Sequence, residues 1–525
     1  MILLTHRFLA QITIEANTTF VINSGKVGLL NDNSVAKDAN GLPFLPGTSI
    51  AGVLRHAIGK DIENDLFGFK GTSNDEDGGS GSRLIISPGL IVGKEGKVIE
   101  GLQNIDFEDS FYSLFRALPI RDHVKINSKG SAEKGAKYDE EVIFKGTRFV
   151  FEIELKGSKD DLDIWSHLLS ILASPDFRLG SGTRKGHGEF KIIHEKSSNR
   201  VFDLTMPSDL SDYQTKTVSL NSPIQNSTKL NPDRRQGTNG WEKYHLQLKA
   251  KDFFLFGAGF GDGDVDHITK RERTIAWVDD IPKASDEEFI LIPATSIKGA
   301  LAHRVRYHYS KLVGDFVESP KDNYQPEATL DEQKILDELH SQIKWDDLDI
   351  HTPEELFKEL EQKVKEFDPT KTQQWESFEK QLKDEAATIL KSGDSGDESN
   401  QAIKTLFGFA NNNSNDQEAA SGKGSVLISD IYVPYHRGND KVFNHVKIDR
   451  FTGGAIDGAL FQEKAYYGAN ADIYLEIYVK SQALNEPSIR QAWENTVADL
   501  LQGGVPLGGM TTKGHGFFNG IVKES

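Results

Sequence analysis

Cysteine is absent from the 525 residues. That excludes disulfides, a cysteine-ligated zinc and a thiol nucleophile, and it fits a reducing compartment. A membrane-spanning run is missing from the N-terminus: the apolar start of MILLTHRFLAQITIEA falls short of the ~20 residues a bilayer needs and soon alternates like a strand. The expectation is a soluble, cytoplasmic protein with no membrane partner. Basic charge is also in deficit, with 61 Lys+Arg against 79 Asp+Glu and a net charge of −18, which taken alone argues against nucleic acid. The deficit is local, however. Residues 315–400 hold 24 acidic and 10 basic side chains, leaving only −4 for the rest of the chain.

What the chain does contain is a repeat. Leu45–Arg55, LPGTSIAGVLR, is answered by IPATSIKGALAHR at Ile292–Arg304. DLFGF at Asp65 is answered by TLFGF at Thr405, and GSRLIISPGLIV at Gly81 by KGSVLISDIYV at Lys423. HVKIN at His123 is answered by HVKID at His445, each followed by an acidic residue before a strand, Glu141 and Glu463. LGSGTRKGHGEF at Leu179 is answered by LGGMTTKGHGFF at Leu507. Shared order makes this a duplication.

The first pair of motifs lies 247 residues apart and the LFGF pair 340, so 93 extra residues enter the second copy. This predicts a first domain over 1–206, a polar linker over 207–240, and a second domain over 241–525 with an insertion at about 311–404. Within the insertion Leu356, Leu360, Val364 and Phe367 recur at helical spacing among charges, the pattern of an acidic helical subdomain. Alternating strands open each copy at Phe8–Ile14 and Tyr244–Leu248 and interleave with helices, so the fold class is α+β, antiparallel sheet packed with helices.

In both copies a proline ends an extended segment and a helix follows, with Thr48 and Ser49, or Thr295 and Ser296, expected to cap its free N–H groups. Such a helix start suits a phosphate, whose charge the helix dipole and open N–H groups favour. Basic residues recur beside the motifs: Arg55, Lys125, Arg184 and Lys185 in the first copy, and Lys298, Arg304, Lys447 and Lys513 in the second. Together with Thr48, Ser49 and Ser296 they are the candidate phosphate-backbone contacts, made without reading bases. His187 and His515, fixed in glycine turns, read as structural.

The combination of PGTSIAGVLR, LFG and GTRKGHGEF, in that order, resembles the repeat-associated mysterious protein (RAMP) superfamily of CRISPR systems. Each copy is similar to the backbone subunits of type III effector complexes, and the fused pair to the multidomain subunits of the type III-D group. The resemblance implies two tandem ferredoxin-like, RNA-recognition-motif-like domains that hold a CRISPR guide RNA, meet a target RNA and assemble with other subunits. Family backbone subunits carry Asp-Asn-Pro-Val-x-Arg-Asp ahead of their helix motif. Here the loop reads NDNSVAKD at Asn31–Asp38, so Asp32 takes the place of the catalytic aspartate, with Ser34 for proline and Lys37 for arginine. The resemblance implies metal-dependent cutting of the target, with Asp32 holding Mg²⁺ or another divalent cation through water, or orienting a ribose 2′-hydroxyl. In the second copy, aligning Asp279 with Asp38 puts Arg273 at that place, and Asp262, Asp264 and Asp266 stand nearby as substitutes for a second site. A non-catalytic scaffold and a metal-independent guide-processing nuclease are the other readings.

Overall fold

The computed structural model describes residues 4–25, 34–71, 79–126, 132–232, 237–314, 400–409 and 422–523. In the first half β1 (His6–Ala16) leads through α1 (Gly47–Ile58) and α2 (Lys60–Phe67) to β2 (Leu84–Ile86). A hairpin of β3 (Ile120–Ile126) and β4 (Ala132–Glu141) follows, then β5 (Arg148–Gly157), α3 (Leu162–Ile171), β6 (Phe190–Ile192) and β7 (Ser198–Asp203). All pairings in this sheet are antiparallel: β1 lies between β5 and the β6 and β7 strands, and β2 pairs with the far side of β5. Register is fixed by the apolar pattern, with Ile12 opposite Phe151 and Ile14 opposite Phe149; a one-residue slip would turn these side chains out of the core.

One face of β1 sends Phe8, Ala10, Ile12 and Ile14 into the main core. There they meet Ile50, Leu54 and Ile58, spaced four apart along α1, and Trp165, Leu168 and Leu169 of α3. Each such side chain contributes ~1.5–3 kcal/mol by leaving water. The other face, with Leu9, packs on Phe202 and Ile224. Residues 207–240 therefore do more than join the halves. α4 (Pro207–Thr215) places the Tyr213 hydroxyl 2.6 Å from Glu154, Leu220 O accepts from Gln11 Nε2 at 2.8 Å, and Thr228–Lys229 pairs with β7.

The second half repeats the order. β8 (Trp241–Ala250) leads to α5 (Ala294–Val313), α6 (Gln401–Phe407) and β9 (Val426–Ile428), then to the hairpin β10 (Asp440–Ile448) and β11 (Ala455–Tyr467), β12 (Ile473–Lys480), α7 (Pro487–Gln502) and β13 (Phe518–Val522). Its sheet runs β9–β12–β8–β13, strand for strand the counterpart of β2–β5–β1–β6. Both sheets belong to one compact unit, Met1–Ala302 with Ser425–Asn485 and Glu494–Ser525. His303–Gly424 with Glu486–Trp493 form a second unit. There Asn400 caps α6 by accepting from Ile403 N at 3.1 Å, and its Nδ2 lies 3.4 Å from Ser310 Oγ. The segment 315–399, which holds nearly all of the expected insertion and its helical pattern, lies outside the described residues; the chain on either side of it meets at that contact.

Candidate nucleic-acid interface

The helix start is built differently from the expected side-chain cap. α1 begins at Gly47 with Pro46 as its N-cap and no side-chain cap; the Pro46 carbonyl accepts from Ser49 N at 2.9 Å. Thr48 and Ser49 thus sit inside the first turn, because the helix starts a residue or two earlier than a Thr or Ser cap would place it. Glycine permits this: a Cβ at position 47 would lie 2.5 Å from the Ile86 carbonyl oxygen. In the second copy Asp430 does the capping, its Oδ1 accepting from Ala294 N at 2.8 Å, rather than Thr295 or Ser296.

With Thr48 on the exposed side, α1 walls a groove of about 410 Å³ with Gly47, Ala51, Gly52, Arg55, Ser82 and Ile86. It adjoins, past Arg55 and Phe67, a hollow of about 590 Å³ edged by Gly68, Lys70 and Gly79–Gly81. Gly52 has nothing within 4 Å of where its Cβ would stand, so the helix backbone is open to the groove. Arg55 reaches Asn64 Oδ1 at 3.1 Å.

The KGHG turns form the second element. Gly188 (φ 76°) and Gly516 (φ 77°) both hold left-handed backbone, and a Cβ would come within 2.3 Å of Leu179 O in one copy and 2.1 Å of Leu507 O in the other; only glycine fits. The first turn stands beside the start of α5: a Cβ on Gly186 would lie 2.5 Å from both Ala294 Cβ and Asp430 Oδ1. Three expected RNA contacts meet here. Arg184 pairs with Asp176 at 3.3 Å, the Lys185 ammonium stands 4.7 Å over the Tyr138 ring, and Lys298 lies in the first turns of α5. Burial, and after it the charges of Arg184 and Lys185, push the Lys298 ammonium down to about 8. Ser296 shares that first turn.

The remaining basic candidates stand elsewhere. Lys447 is exposed on β10, and Lys513 lies 4.0 Å over the Phe461 ring. Arg304 stacks on Tyr307 further along α5. Lys125 lies on β3, its side chain outside the described residues.

Asp32 lies outside the described residues. Its neighbours are ordered by backbone pairing: Ser24 N donates to Ser34 O, Ala36 N to Ile22 O, and Val35 N to Glu141 Oε2 at 3.1 Å. Asp38 is consumed in a turn, accepting from Asn40 N and Leu42 N. In the second loop Asp262 accepts from Asp264 N, Val265 N and Lys464 Nζ, the last at 2.6 Å. Lys464 and these N–H groups hold its carboxyl down at about 2. Asp266 accepts from Gln462 N at 2.7 Å, and Asp264 is exposed. Asp279, matched to Asp38 by sequence, occupies a left-handed hairpin turn at φ 48°. Among the described residues no oxygen-ligand set of the kind Mg²⁺ takes converges here; the one group of potential metal ligands is His123, Glu140 and His187.

That trio was not foreseen, and it has a counterpart. His123 Nε2 lies 2.9 Å and His187 Nε2 3.8 Å from Glu140 Oε1; His445 Nε2 lies 3.1 Å and His515 Nε2 2.9 Å from Glu463 Oε1. His123 stacks on Tyr138 and His445 on Phe461, the rings over which Lys185 and Lys513 stand. Glu140, not Glu141, therefore corresponds to Glu463. Burial pushes His187 down to about 4, with Arg121 acting in the same sense. Burial would raise Glu140, but His123 and His187 hold it below the ordinary carboxylate value. The signal available in sequence was the pairing of each HVK with a KGHG.

Beside His187 runs a buried ionic joint. Arg121 donates from Nε and Nη2 to Glu272 at 2.8 Å each, from Nη1 to Asp430, and from Nη2 to the Tyr432 hydroxyl at 3.2 Å. The second carboxylate charge sits at the start of α5, where the helix dipole favours it.

The structure thus shows two α+β halves, each with a glycine turn and basic residues beside it. The RAMP superfamily profile matches residues 13–191 and 284–519, and the chain belongs to that superfamily, whose members are generally CRISPR-associated RNA-binding proteins. No curated protein matches the chain. Among the described residues no helix is long and apolar enough to cross a membrane.

Proposed function

We propose that the protein is a guide-RNA-binding backbone subunit of a type III CRISPR effector complex, each half a ferredoxin-like domain, and that it cuts the paired target RNA. The observation that carries the reading is the meeting of Arg184, Lys185 and Lys298 at a glycine turn and a helix start, with Lys298 held down to about 8. A phosphate placed there meets all three cations. Thr48, Arg55 and Lys70 offer the same chemistry along the α1 groove.

Cutting is assigned to Asp32, which orients the 2′-hydroxyl in line with the adjacent phosphorus. The 2′-oxygen loses its proton and bonds to phosphorus as the phosphorus–5′-oxygen bond breaks, and the departing 5′-oxygen takes up a proton, leaving a 2′,3′-cyclic phosphate and a 5′-hydroxyl. Asp32 would hold Mg²⁺ through water, and the ion would supply charge neutralisation. The test is target cleavage by the assembled complex. Asp32→Ala should leave guide and target binding near wild type and slow one cut by orders of magnitude, and omitting Mg²⁺ should do the same. Unchanged bands at an unchanged rate would leave the scaffold reading in place. For the second half that scaffold reading is favoured by Asp262 and Asp266, whose carboxylates are taken up by turn and strand contacts.

A further inference from the structure

The paired histidine–glutamate clusters differ in one respect. In the second half His515 Nε2 and Glu463 Oε1 form a hydrogen bond at 2.9 Å, and His445 Nε2 and Glu463 Oε2 are left without a hydrogen-bond partner among the described residues. In the first half no such bond forms. His123 Nε2 approaches Glu140 Oε1 at 2.9 Å but misaligned, and His187 Nε2 stops at 3.8 Å. None of the three atoms makes an aligned hydrogen bond among the described residues, the close His123–Glu140 approach being an ion pair only, and the side chains of Glu140 and His187 are 5% and 1% exposed. Polar atoms without an aligned hydrogen bond at such depth are costly. Their ligand atoms nonetheless lie within 4.8 Å of one another, close to the spacing of groups that share an ion at ~2.0–2.2 Å.

We propose that His123, Glu140 and His187 bind a zinc-class divalent cation that pins the β3–β4 hairpin to the KGHG turn. Two imidazoles and one carboxylate suit zinc, not magnesium, and leave one coordination position open. His187 Nδ1 is already engaged with Thr19 Oγ1 at 3.1 Å, which aims Nε2 inward as an outer partner does in metal sites. Glu272 and Asp430 match the charge of Arg121, and Glu140 supplies the negative charge that faces the ion. The site is independent of Asp32 and of cutting.

The test uses full-length, tag-free protein, stripped with chelator, then titrated with Zn²⁺ alone and, separately, Co²⁺. Expected are about one equivalent of tight zinc in the first half, visible cobalt bands of low-coordinate intensity, and loss of that equivalent in His187→Ala and Glu140→Gln but not in His515→Ala. Loaded protein should also protect the hairpin from hydrogen exchange relative to stripped protein. Wild type that binds no zinc and gives no cobalt band overturns the proposal, whether or not the variants fold. So does an equivalent that survives His187→Ala.

Discussion

Arg121→Met tests the joint between the two halves. The substitution keeps the volume of the stem but removes the charge that Glu272 and Asp430 face, whose side chains are 4% and 0% exposed. Two carboxylates are then left buried together, and the expected cost is ~3–5 kcal/mol, the range for removing one member of a buried pair. An exposed pair such as Lys97–Glu95, 72% and 81% exposed, is worth ~0–1 kcal/mol and supplies the control, Glu95→Gln. The assay is native-state hydrogen exchange at Ile275, whose N–H donates to Lys145 O across the same joint at 2.8 Å. At ~1.4 kcal/mol per decade, protection there should fall by two to nearly four orders of magnitude. Acidity gives a second reading. Burial would raise Asp430, but Arg121, His187 and the Ala294 N–H hold it below the ordinary value. In the wild type its contribution is therefore complete above the unfolded carboxylate range and lost as pH falls through the folded value. Without Arg121 the sign reverses: protonation relieves the buried repulsion, so the variant's deficit should shrink from pH 8 to pH 5. Protection at Ile275 that matches Glu95→Gln, at any pH, would refute the buried-pair argument.

Three further outcomes are expected. Gly52→Ala should raise the melting temperature, as alanine exceeds glycine by ~1 kcal/mol within a helix, while Gly52→Glu should fold equally well yet weaken guide-RNA binding at least ~10-fold in filter binding by setting a carboxylate in the groove; equal affinities would move the RNA path off α1. Guide affinity should fall log-linearly with salt as phosphate contacts release counterions, and an affinity unchanged from low to high salt would remove Arg184, Lys185 and Lys298 from the interface. Deleting 315–399 while keeping Asn400 should preserve folding and guide binding, since the Ser310–Asn400 contact lets a short join replace the segment; loss of both by circular dichroism and gel shift would make it a core element.

Order and spacing made the duplication legible because the KGHG turn serves the same local geometry in both copies, with glycines where a Cβ would strike Leu179 O or Leu507 O, and the α1 motif sets apolar residues four apart. The caps were not legible. Asp430 reaches Ala294 from 136 residues away, and Pro46 starts its helix without any side chain. No local pattern encodes either.

The histidine clusters failed to show for a sharper reason. Pairing Arg121 with Glu140 and His123 with Tyr138 places all four side chains on one face of the hairpin, and that face meets the KGHG turn. Taking Glu141 as the partner of Glu463 is off by one residue, and in a strand one residue is the opposite face. Glu141 accordingly serves another purpose, holding Val35 N next to the loop that carries Asp32. Two neighbouring glutamates on one strand thus serve the two chemistries inferred for this half, the cation clamp and the approach to the cutting loop, and strand parity decides which glutamate serves which.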